Sequence, residues 1–100
     1  MKWFKITMSL SEVAGDEPAR LRRQFSDLLM AAEDTRGMAL FSTDSSSTKF
    51  YLCCSRKSIP YARVLTDYYE GRPCEKPKHQ NLTLIAGDAN HLTKTLQTSP

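Results

Sequence analysis

Asp16-Glu17-Pro18-Ala19-Arg20-Leu21-Arg22-Arg23-Gln24-Phe25-Ser26-Asp27-Leu28-Leu29-Met30-Ala31-Ala32-Glu33-Asp34-Thr35-Arg36-Gly37 is the stretch on which the fold turns. Leu21, Phe25, Leu28, Leu29 and Ala32 recur at the i, i+4, i+7, i+8, i+11 spacing of one helical face. Asp16 suits an N-cap, Glu17 complements the positive end of the helix dipole, and Pro18 sits where a missing N–H costs nothing. Gly37 suits a left-handed stop. The spacing therefore predicts a helix from 16 to 37 whose apolar stripe needs a sheet to pack against.

Working outward, Trp3 to Leu10 alternates with period 2. Phe4, Ile6, Met8 and Leu10 are expected inward, with Trp3, Lys5, Thr7 and Ser9 on the other face. After the helix, 38–43 and 48–54 are short apolar and aromatic runs separated by Asp44-Ser45-Ser46-Ser47, which reads as an antiparallel hairpin. Ser58 suits the cap of a second helix with Pro60 in its first turn and Tyr61, Leu65, Tyr68 and Tyr69 along one side. Gly71 and Pro73 are expected to end it. Residues 72–80 read as a surface loop and 81–86 as a last strand. Beyond it, Gly87-Asp88 suits a hairpin turn, or Asp88 caps a short helix carrying Leu92 and Leu96; the helix is the expectation.

In order these are strand, helix, strand, strand, helix, strand, the βαββαβ sequence of a ferredoxin-like split βαβ fold. The expectation is an α+β domain: a four-stranded antiparallel sheet with both helices on one face and a short C-terminal helix. One hundred residues allow one modest core, so 1–97 form a single domain and 98–100 a frayed tail. With 40% hydrophobic and 25% charged residues the composition is that of a globular chain. A net charge of +3 does not by itself imply nucleic acid.

The start Met1-Lys2-Trp3-Phe4-Lys5 lacks a signal-peptide core, and no run reaches the ~18 apolar residues of a membrane span, so a cytoplasmic protein without membrane association is expected. The three cysteines are expected to be reduced. Asn81-Leu82-Thr83 matches a glycosylation acceptor and is taken as chance. Cys53 and Cys54 are adjacent on a strand and point to opposite faces, so they cannot easily share a metal or a bridge; Cys54 reads as core and Cys53 as an exposed thiol. Cys74 and His79 lack paired zinc-ligand spacing; no metal and no cofactor are expected. His79 and His91 are tied to no cysteine by a recognisable pattern, Asp67 and Glu70 read as an exposed pair, and isolated glycines exclude a phosphate loop. No catalytic residue is assigned.

The unexplained feature is the sheet face away from the helices. It should carry Trp3, Lys5, Phe41, Lys49, Tyr51 and Ile85, and a monomer would leave that patch wet. The leading expectation is a non-enzymatic protein-interaction or regulatory domain that uses this face, most simply as a homodimer. The alternative is RNA or single-stranded nucleic acid, with rings stacking on bases and lysines on phosphates, although the third strand lacks the glycine-containing run of RNA-recognition modules. A third reading is a small-molecule enzyme enclosed where two such sheets meet. Arg56, Lys57 and Ser58, at the start of the second helix, form a candidate anion site.

Overall fold

A computed structural model describes residues 1–31, 37–43, 48–78 and 82–87. Strand β1 is Lys2–Thr7, helix α1 Leu10–Ala14 and helix α2 Glu17–Ala31. Strands β2 (Met38–Thr43) and β3 (Lys49–Cys54) form the expected hairpin, and a 3₁₀ turn at Arg56–Ser58 leads into α3 (Ile59–Tyr68). Two further strands follow, β4 (Arg72–Cys74) and β5 (Leu82–Gly87). Among the described residues no helix is long and apolar enough to cross a membrane.

All pairings are antiparallel, in the order β4-β1-β3-β2-β5. Among the described residues the sheet thus has five strands rather than the expected four. The segment read as a loop contains β4, which takes the edge beside β1, while the last strand joins β2 at the opposite edge. β4 has three residues, too few to show a period, and its Pro73 lies opposite Phe4 on an edge strand, where a missing N–H is tolerated.

The sheet is apolar on both sides. Phe4, Ile6, Met8, Met38, Leu40, Phe50, Leu52 and Cys54 pack with Leu21 and Phe25 of α2 and Ala62 and Leu65 of α3 in the main core. Trp3, Ala39, Phe41, Tyr51 and Cys53 form a second buried cluster, flanked by Cys74, Leu82 and Leu84. Because side chains alternate along a strand, the two clusters lie on opposite faces. Every helical residue of the core belongs to the first, so the helices cover one face.

Local chemistry explains where elements end. β1 stops before Ser9 because Ser9-Leu10-Ser11-Glu12 is a capping box: the Ser9 N–H donates to Glu12 Oε1 at 2.9 Å, and the Glu12 N–H donates to Ser9 Oγ at 3.2 Å. Those bonds to the charged form hold the Glu12 carboxyl below its ordinary pKa. Leu10, expected inward, begins α1 instead and is 77% exposed. Asp16 stands at the start of α2, its carbonyl accepting from the Arg20 N–H at 2.9 Å. Gly37 does not have the left-handed conformation expected of a stop. Its need is space, since its carbonyl accepts from the Ser55 N–H at 2.7 Å and a Cβ would overlap Ser58 Oγ.

At the end of α3 the left-handed position falls on Glu70, with φ 56°, and Gly71 is required for close approach: a Cβ there would lie 3.1 Å from Ile6 Cγ1 and from the Lys5 carbonyl. The buried side of α3 is Ala62, Leu65 and Thr66 rather than the tyrosine row, for Tyr61 and Tyr68 are exposed. Tyr69 packs at the core edge, and its hydroxyl pairs with Gln24 Oε1 at 2.6 Å, tying α3 to α2. The expectations for Ala32, Ser45–Ser47, His79, Asn81, His91, the C-terminal helix and the frayed tail fall outside the described residues.

Phe25 is the largest side chain with no solvent exposure. Phe25→Ala should therefore lower the unfolding free energy by ~3–5 kcal/mol in a denaturant titration, a large share of a typical ~5–15 kcal/mol. A loss below ~1 kcal/mol would contradict the helix facing.

Candidate functional site

The sheet face away from the helices carries most of the residues expected there, arranged in rows by the strand register. One row runs Cys74, Trp3, Cys53, Ala39 across four strands, and the next Arg72, Lys5, Tyr51, Phe41, Leu84 across five. Trp3 and Phe41 meet diagonally, with ring centroids 5.8 Å apart and planes at 32°, a tilted contact worth ~0.5–1.5 kcal/mol beyond its area. Lys5 lies opposite both Tyr51 and Arg72, and Lys49 opposite Thr7. The face is thus apolar toward Trp3 and basic toward Lys5, Lys49 and Arg72.

Its rings are not wet. Trp3, Phe41 and Tyr51 are 5%, 4% and 6% exposed within the single chain. Met1 reaches over this face: the Cys53 thiol donates to Met1 Sδ at 3.2 Å. Stacking of unpaired bases needs free ring faces, which these side chains do not offer.

Ile85 departs from the expected set. The partners of β5 step from Leu40↔Ala86 to Phe41↔Leu84, leaving Ile85 as the extra residue of a bulge. Ile85 and Ala86 accordingly pack on the helix side, while Leu82 and Leu84 join the second cluster. Residues 82–85 do alternate, but in the opposite phase to the expected one: Leu82 and Leu84 face away from the helices and Ile85 faces them, and the bulge then keeps Ala86 on the same side as Ile85.

The Arg56-Lys57-Ser58 segment is divided between surface and interior. Arg56 and Lys57 are exposed, whereas Ser58 is buried against Gly37, its hydroxyl 3.2 Å from that of Ser55. Pro60, in the first turn of α3, also removes one of the N–H groups an anion would use.

The thiols are buried rather than poised for attack. Cys53 and Cys54 lie within the second and first clusters, and burial pushes their pKa values up to about 12 and about 11. Cys74, half-buried, is raised for the same reason. Among the described residues no three His, Cys, Asp or Glu side chains come together as a metal site.

Two surface features went unread in the sequence. One is a groove of about 380 Å³ between α2 and α3, lined by Gln24, Asp27, Leu28 and Ala31 on one side and Val64, Leu65 and Tyr68 on the other. Its α3 wall continues into an exposed apolar row, Tyr61, Val64 and Tyr68, spaced i, i+3, i+7. The other is a cleft of about 280 Å³ at the basic end of the sheet, lined by Lys5, Thr7, Tyr69, Glu70 and Arg72. Comparison with family models, with curated proteins and with solved structures finds no match.

The Cys53 thiol supplies a pH test. Its folded pKa of about 12 lies above the ordinary 9.0, so folding favours the protonated thiol. Its contribution is complete below pH 9.0 and is lost as pH rises toward about 12. Denaturant titrations at pH about 8 and about 10.5 should show wild type losing stability more steeply than Cys53→Ala. Equal slopes would mean that the thiol is not desolvated.

Proposed function

We propose that the chain is a non-catalytic protein-interaction domain that receives an amphipathic helix in the groove between α2 and α3. The observation that carries this reading is the second apolar side of α3. A helix packed against a sheet needs one buried stripe, here Ala62 and Leu65, and the row of Tyr61, Val64 and Tyr68 is surplus to that need. Val64 and Tyr68 are 65% and 62% exposed, and Met30 on α2 adds an exposed thioether. Such a row beside an apolar groove suits anchors at i, i+3/i+4 and i+7 of an incoming helix.

Asp27 supplies the complementary charge. Asp27 stands in the groove wall and forms no ion pair among the described residues, so the occupant should carry a lysine or arginine beside its apolar anchors. In this reading the sheet is a scaffold, and the order β4-β1-β3-β2 supports viewing it as a ferredoxin-like split βαβ core to which β5 is added.

Selection of displayed helical peptides on the full chain tests the proposal. Selected sequences should share apolar anchors at helical spacing and one basic position, and Val64→Glu or Tyr68→Glu should weaken them about thirty-fold or more, Val64→Glu without lowering the melting temperature. Asp27→Lys should turn the basic preference acidic. Sedimentation shows whether the helix comes from a second copy: a wild-type dimer dissociated by Val64→Glu would make this groove the homodimer interface. Peptides unaffected by either glutamate variant would overturn the reading.

A further inference from the structure

Two locally unfavourable choices meet at the basic cleft. Lys5 on β1 and Arg72 on β4 are direct partners across the register, a like-charge pairing that weakens a sheet. Neither forms an ion pair among the described residues. The adjoining Glu70 occupies a left-handed backbone position, the place in a helix stop where glycine is usual, although Gly71 is the next residue. Glu70 lines the cleft as well, yet its carboxylate is not within ion-pair distance of either cation. Local rules broken together at one concave site mark a place where stability has been given up for binding.

We propose that this cleft binds a small zwitterion of the amino-acid class, its carboxylate held between Lys5 and Arg72 and its ammonium directed to Glu70. The charges select that class. Two cations facing each other across neighbouring strands match one carboxylate, with the guanidinium able to donate two hydrogen bonds to it. The Thr7 hydroxyl, on the same wall, is a further donor. A phosphate dianion would satisfy the cations but meet the Glu70 carboxylate, whereas an ammonium group turns that carboxylate into a partner. Tyr69 lines the same cleft. The cleft's 280 Å³ suits a ligand of this size rather than a polymer.

The test is amide NMR on the full chain at low ionic strength, titrating L-leucine, its deaminated analogue 4-methylpentanoate, and inorganic phosphate. Leucine should give saturable shifts at Thr7, Gly71 and Arg72 and bind more tightly than 4-methylpentanoate. Lys5→Gln and Arg72→Gln should each weaken it about tenfold, the size of one charge-assisted hydrogen bond, and Glu70→Gln should abolish the preference for leucine. Without ligand, Lys5→Gln should raise the melting temperature, because it removes a like-charge pair; a lower value would make Lys5 structural. Four results would overturn the proposal: no saturable shift up to about 50 mM, shifts unchanged in the glutamine variants, phosphate binding tighter than leucine, or an oligonucleotide binding these residues undisplaced by leucine.

Discussion

β3 is the constraint from which the rest follows. It lies at the centre of five strands, and every residue from Phe50 to Cys54 is buried. A strand covered on both faces must be apolar on both, and its neighbours must supply a core on each side. Phe4, Ile6, Met38 and Leu40 do so toward the helices; Trp3, Ala39 and Phe41 do so on the other face. Between Phe50 and Cys54 no side chain can turn outward without opening one of those cores.

That arrangement decides where the chain can meet another molecule. The second face has spent its aromatic rings on internal packing, so its usable chemistry lies at the end where Lys5, Lys49 and Arg72 emerge. On the helical side, α3 covers the main core with Ala62 and Leu65 and leaves its tyrosines and Val64 outside. The two candidate sites thus sit at the margins of the two cores, one on the outer surface of the helix layer and one at a sheet edge.

The strong periodicities were legible. β1, the hairpin of β2 and β3, and the Leu21–Phe25 stripe of α2 each repeat often enough for one face to declare itself. The features missed were those with little or no period. β4 is three residues around a proline, and the bulge at Ile85 shifts one register step without a glycine or proline to announce it. The capping box at Ser9 and Glu12 is written in the sequence, but Leu10 continues the alternation of β1 and so looks like strand. On α3 helical spacing groups Tyr61, Leu65, Tyr68 and Tyr69 along one side but does not say which side meets the sheet; the small Ala62 and Thr66, with Leu65, take that place where the helix lies close to the sheet. The sheet-face residues were placed correctly except for Ile85, yet alternation tells only which face a side chain is on. Whether the same chain covers that face is a tertiary fact that no local pattern records.

The sharpest test of the two-sided sheet uses the single tryptophan, Trp3, which belongs to the second cluster. Its fluorescence, recorded on protein shown by sedimentation to be monomeric, should be blue-shifted relative to the denatured chain and resistant to quenching by acrylamide. A solvent-like emission, readily quenched in the monomer, would show that the face is open and would contradict the account.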